Sequence, residues 1–163
     1  MQYRKINNEI YFNVLIEESE TDVDYEEVIN SIEKKIPKWL LRDIDAFYVG
    51  EFDFLTEEHV LAKYMENAIY LSENFHYESD ILDEIMLALS KKVMEEYPHL
   101  IYNNEDFMTE WEQLDNMYQF DLESYFGDHF TDYFLGEEDM IEQNSLEYPE
   151  TYRVIKEIIL NEV

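Results

Sequence analysis

The chain has 163 residues, 46% of them hydrophobic and 16% aromatic, enough for one domain with a sizeable core and too aromatic for a disordered acidic tail. Eleven Lys and Arg against 40 Asp and Glu give a formal net charge of −29, which excludes direct binding of nucleic acid and of anionic membrane surfaces. The absence of cysteine removes disulfides, thiolate catalysis and Cys-type zinc sites together, and 3 Gly with 3 Pro leave room only for short connections between helices.

In chain order, Asn7-Asn8 predicts the turn of a short hairpin, and Glu9–Ile16 (EIYFNVLI) reads as a strand. Glu17–Asp24 is an acidic connector. Val23, Val28, Ile29, Ile32 and Ile36 fall at helical spacing, and Pro37 ends that helix. Trp39–Asp45 reads as a short helical turn or the approach to a strand. Ala46–Phe54 (AFYVGEFDF) predicts a strand interrupted by glycine, Thr56 caps a short helix over Glu57–Met65, and Ala68–Ser72 is a further strand. Ser79 is the expected N-cap of a long helix whose apolar face runs Ile81, Leu82, Ile85, Leu89, Val93 and Tyr97, with Pro98 as its stop. Helices follow over Asn104–Tyr118, Leu122–Leu135 with Gly136 as a C′ residue, and Pro149–Asn161. These elements predict an α+β fold: a single helix-rich domain over 1–163 with a small sheet in its N-terminal half. Within it, 1–22 form the N-terminal strand or hairpin and the start of the acidic connector, and 23–163 the body.

Several pieces recur together. They are Ile36-Pro37, Asp45, VGEFDFL at 49–55, Tyr64, NAIYLS at 67–72, and Asp83-Glu84-Ile85 leading into the long helix. YFGDHF at 125–130 follows, with Tyr133-Phe134-Leu135, and Tyr148 and Tyr152 continue the match. In order and spacing, over 36–97 and 121–156, they resemble a zincin-like metallopeptidase family found largely in bacteriophage and prophage genomes. Such enzymes carry H-E-x-x-H on a helix, because residues i and i+4 share a face and two imidazoles there grip one zinc ion. The glutamate between them is the general base for the zinc-bound water. The resemblance places Leu87, Ala88, Leu89, Ser90 and Lys91 on that motif. Leu87 and Lys91 thus stand for the two histidines, Ala88 for the base, and Ser124 for the third ligand. Glu123, beside Ser124, points about 100° away around its helix. A lysine cation where zinc would sit also opposes a metal. The segment between the two helices is short beside the family's, which implies a trimmed substrate-facing part.

What the resemblance implies is therefore a degenerate zincin-like body without catalysis, metal or cofactor, acting by protein–protein contact. The expected role is a structural or accessory virion component located in the host cytoplasm or in the particle. The charge leaves a second reading open, in which carboxylates imitate a phosphate backbone and inhibit a host DNA-binding or defence protein. The partner is then either a phage structural protein or that host protein, with neither nucleic acid nor membrane. The N-terminal MQYRKINNEIYFNV lacks the apolar core of a signal peptide, and no apolar run approaches the ~20 residues of a membrane span.

Other candidates are weaker. His59, His76, His99 and His129 are scattered, and His129 with Asp132 at i, i+3 reads as a metal pair or a solvent-facing one. Asp22 and Asp24 lack the glycine and closing glutamate of a calcium loop. No Gly-rich phosphate loop or G-x-S-x-G is present. The aromatic stripe of the last third is core, or in part a partner surface carried by Trp111, Tyr118, Tyr125 and Tyr133.

Overall fold

Asn7 and Asn8 take left-handed backbone angles (φ 53° and 59°), which asparagine tolerates, and turn the N-terminal segment back on itself. Ile6 and Ile10 exchange both backbone hydrogen bonds, at 2.8 and 3.0 Å, and the Tyr3 N–H donates to the Phe12 carbonyl at 3.0 Å. The hairpin expected here is present. The computed structural model describes residues 2–16, 22–118 and 121–162, with 115–118 as backbone alone. Residues 17–21 of the acidic connector and the Tyr118 side chain lie outside the described residues.

The chain sorts into two compact units, 1–89 and 90–163. In the first, β1 (Tyr11–Val14), β2 (Ala46–Gly50), β3 (Ala62–Met65) and β4 (Ala68–Ser72) form a sheet in the order β1-β2-β4-β3. β1 is parallel to β2 and β2 to β4, while β3 runs antiparallel to β4. The register puts Phe12, Phe47 and Ile69 in one row and Val14, Val49 and Leu71 in the next. None of these six is more than 1% exposed, as period-2 alternation demands of a core-facing sheet surface. α1 (Tyr25–Lys35) links β1 to β2. Asp24 caps it by accepting from the Glu26 and Glu27 N–H groups, and its buried stripe is Tyr25, Val28, Ile29 and Ile32. The Tyr25 ring lies 5.9 Å from that of Phe12, which lies 5.9 Å from that of Phe47. A 3₁₀ turn over Lys38–Leu41 leads into β2.

Two expectations are corrected between residues 51 and 65. The strand expected to reach Phe54 stops at Gly50, and Asp53–Glu58 form the short helix α2. Thr56 lies inside α2 rather than capping a later helix, and α2 ends where His59 turns left-handed (φ 57°). The helix expected over 57–65 gives way to β3. The cause is the two-residue turn Glu66-Asn67, with φ of 52° and 64°, whose paired positive angles match the twist of a hairpin. The turn sets Lys63 opposite Tyr70 and Tyr64 opposite Ile69, and ladder bonds to β4 override the helical propensity of Ala, Lys and Met.

α3 (Glu78–Glu96) starts one residue before the expected cap, so Ser79 sits in its first turn. α4 (Pro98–Ile101) carries Pro98 in its first turn, where a missing N–H is harmless. α5 (Glu105–Tyr118) is capped by Asn104, which accepts from the Phe107 N–H at 3.1 Å. α6 (Leu122–Leu135) is capped by Asp121, which accepts from the Ser124 N–H at 2.7 Å. α7 (Glu138–Glu147), which periodicity does not predict, precedes α8 (Pro149–Glu162). Phe107, Phe126, Phe130, Ile155 and Ile158 are fully buried in this unit. Gly136 ends α6 in extended rather than left-handed backbone (φ −77°). Its glycine requirement is spatial, since a Cβ would come 2.5 Å from the Asp132 carbonyl oxygen.

The α+β class, with helix dominating and a small mixed sheet in the N-terminal half, is as expected. No helix among the described residues is long and apolar enough to cross a membrane.

Candidate functional site

On α3 the motif-bearing turn is folded into the protein interior. Ala88 is buried, Leu89 and Ser90 are fully buried, Leu87 is half-buried, and only Lys91 faces solvent. Ser124 is exposed on the first turn of α6. The Asp121 carboxyl titrates below its ordinary range, chiefly because the Ser124 N–H donates to it and then through the Ser124 side chain, with the Lys91 ammonium adding to the effect. Among the described residues no group of three or more His, Cys, Asp or Glu is placed to hold a metal ion.

His129 is likewise not the surface group that its spacing from Asp132 allows. It is 9% exposed, with ring centroids 4.8 Å from Tyr125, 4.3 Å from Tyr148 and 6.0 Å from Tyr152. Its Nδ1 has no hydrogen-bond partner among the described residues. Burial lowers its pKa from 6.5 to about 4, so it stays neutral at pH 7.

Beside it runs a buried relay. Pro149 opens α8, whose first free N–H groups need acceptors. Glu110 of α5 supplies them, accepting from the Glu150 N–H at 3.1 Å and the Thr151 N–H at 2.8 Å. The Thr151 hydroxyl also donates to Glu110, at 2.6 Å. A carboxylate can only accept, so the single threonine proton is committed there, and the Tyr125 hydroxyl must be the donor in its 2.8 Å bond to Thr151 Oγ1. Tyr125 is 6% exposed, and burial pushes its hydroxyl pKa well up. The expectation that Tyr125 meets a partner is thus corrected: its ring is core and its hydroxyl is an internal strut.

The outer surface of this unit differs. α7 has no buried residue among its ten. Leu146 on α7 is 79% exposed, Leu160 on α8 73% and Met140 on α7 40%. Between the two helices lies an open groove of about 400 Å³, walled by Glu138, Ile141, Glu142 and Ser145 on one side and Lys156 on the other, and floored by Tyr133 and Tyr152. A second depression, of about 380 Å³, shares Ser145, Tyr152 and Lys156 and runs on to Leu160.

No family model, no curated protein and no solved structure matches this chain. Of the aromatics expected to meet a partner, Tyr133 lines the groove, Trp111 is half-buried on α5, Tyr125 is internal and Tyr118 lies outside the described side chains. Periodicity missed Ile141, Leu146 and Leu160. The signal for Leu160 was present, because Ile158, Ile159 and Leu160 in succession point around more than half of α8 and cannot all face one core.

In the sheet unit a smaller depression of about 250 Å³ lies at the carboxyl ends of β2 and β4, lined by Gly50, Phe52, Ser72 and Asn74 among others. Ligands of open parallel sheets commonly sit at that end. Glu51 and Glu73 add charge there, beside the His59 ring.

Proposed function

We propose that this chain is a non-catalytic phage protein that works by protein–protein contact, as a structural or accessory component of the particle. The observation that carries the proposal is the α7–α8 surface, where large apolar side chains stand in water beside a groove floored by tyrosines. Monomeric proteins seldom leave such groups clustered without use. The α3 and α6 positions support the non-catalytic part. Leucine, alanine, lysine and serine hold neither a zinc ion nor a general base, and on α3 Leu87 is half-buried and Ala88 buried. The phage context comes from the resemblance at 36–97 and 121–156.

Charge distribution favours this reading over the DNA mimic. Exposed carboxylates stand on α1, α2, α3, α5, α6, α7 and α8, on helices of both units rather than on one. A phosphate mimic needs them in a row spaced like a backbone.

The test is a tagged pull-down from infected host cells, read by mass spectrometry at low and high salt. Phage head or tail proteins retained at high salt are expected. A host DNA-binding protein released by salt or by added DNA would replace this reading with the mimic. Zinc at one per chain together with peptidase activity would overturn the non-catalytic assignment.

A further inference from the structure

Resting on that reading, we infer that the α7–α8 groove is the docking site for a basic amphipathic helix of the partner protein. Three observations converge on it. The first is that α7 has little to hold it from its own chain. It packs on α8 through half-buried Ile141, Asn144 and Ser145 but buries no residue fully, carries Glu138, Asp139, Glu142 and Glu147 without one cation, and spans only ten residues. Its C-terminal Glu147 opposes the helix dipole, while Glu138 and Asp139 in its first turn favour it. A helix of this kind gains most when something packs on its outer side.

The second is the position of the apolar groups. Ile141, Tyr133 and Tyr152 make the groove apolar at its centre, while Leu146 and Leu160 stand exposed on its two helices. Leu160 lines the adjoining depression and Leu146 follows the groove-lining Ser145, so an apolar floor with leucines near its edge is available to side chains at i, i+3, i+4 and i+7 of a bound helix.

The third is charge, which decides among occupants. A second copy of this chain brings another −29, and nucleic acid or an anionic lipid surface brings the same sign. A helix with lysine or arginine beside its apolar stripe instead meets Glu138, Asp139, Glu142 and Glu147 on α7. Residues 90–163 carry 19 carboxylates against 4 Lys and Arg, and residues 1–89 carry 21 against 7, so charge draws such a partner to the chain as a whole and the apolar groove decides where it docks. Among the described residues Lys156 on the α8 wall is the one cation facing the first depression, and it selects a partner helix with an acidic residue at that end.

The experiment uses the full chain and a defined probe. A synthetic Leu/Lys helix with leucines at i, i+3, i+4 and i+7 is titrated into isotopically labelled protein and followed by amide chemical shifts. A second peptide of the same composition, scrambled so that its leucines surround the helix, serves as control. The expected result is a set of shifts confined to α7, α8 and the end of α6 that carries Tyr133. The patterned peptide should bind roughly tenfold more tightly than the scrambled one. Leu146→Glu with Leu160→Glu should weaken it by a further tenfold or more with an unchanged thermal melt. Shifts spread over the acidic helices of both units, or equal binding of the two peptides, would overturn the inference. The pull-down separates this from the broader reading. If the double variant still captures the partner that the parent chain captures, the groove assignment fails while protein binding stands. If the parent captures none, the broader reading itself fails.

Discussion

The two units of this chain solve the same problem with opposite materials. The sheet unit buries Phe12, Phe47, Val49, Ile69 and Leu71 behind backbone ladders, and its central strands β2 and β4 are largely buried on both faces. The helical unit buries Ser90, Lys92, His129, Thr131 and Thr151 and leaves Leu146 and Leu160 in water. Polar groups are inside where apolar ones are expected, and apolar groups outside where polar ones are expected. A fold tolerates the first only if the groups are satisfied or neutral, and the second only if exposure is useful. The difference places the mostly apolar core in the sheet unit and the polar interior in the helical one, while exposed apolar groups occur in both, Leu15 at 60% and Tyr77 at 67% in the sheet unit.

The largest expected effect tests the first half of that statement. Phe47→Ala removes a fully buried ring from the central strand β2 and should cost about 3–5 kcal/mol in urea unfolding. The loss should be the same at pH 7 and pH 5, since no titrating group is involved. A loss below about 1 kcal/mol would mean that the apolar core of the sheet unit is not closely packed around β2.

His129 gives the next largest effect, with the opposite pH behaviour. Its imidazole titrates at 6.5 in the unfolded chain and at about 4 when buried. Between those values the unfolded chain holds a proton that the folded chain refuses, so stability is complete above about pH 6.5 and falls as the pH drops through the window. The full loss is about 3 kcal/mol. The forty carboxylates also respond to acid, so the measured quantity is the difference between the parent chain and His129→Phe, which keeps a ring among the tyrosines. That difference should shrink or reverse towards pH 4. A difference that is flat with pH would show that the imidazole is reached by water in the folded state.

What was legible in the sequence follows the same division. β2 and β4 could be read because alternating Val, Ile, Phe and Tyr carry their own pattern, and α1, α5, α6 and α8 because their apolar stripes repeat at helical spacing. β3 could not, because Ala62–Met65 consists largely of helix formers, and its strand state comes from β4 and from the positive φ angles of Glu66 and Asn67. α7 could not, because a helix that buries nothing has no stripe to read. His129 was legible in part, since it falls four residues after Tyr125 on the buried face of α6. The Glu110–Thr151 cap was beyond reach, because its partners are 41 residues apart and acidic residues are everywhere in this chain.

That cap gives the third prediction. Thr151→Val keeps the shape but removes the one hydroxyl that both accepts from Tyr125 and donates to Glu110. A buried phenol is then left without its acceptor, at a cost of about 1–3 kcal/mol. Tyr125→Phe in the same chain should recover part of the loss, because it removes the orphaned donor. If the double variant were no more stable than Thr151→Val alone, the relay would not be one unit, and the polar interior of the helical unit would be a set of independent bonds.

The smallest effect on stability bears on the exposed half of the comparison. Leu146→Ser deletes a side chain that is 79% exposed, so almost none of its apolar area is removed from water on folding. The melt should move by no more than about 0.5 kcal/mol in either direction. Serine is a slightly poorer helix former than leucine, which sets the sign of any residual change towards loss. A drop beyond about 1.5 kcal/mol would mean that Leu146 packs on this chain in solution, and the α7–α8 surface would then be core rather than free. A neutral melt together with lost partner binding would separate stability from recognition at a single residue.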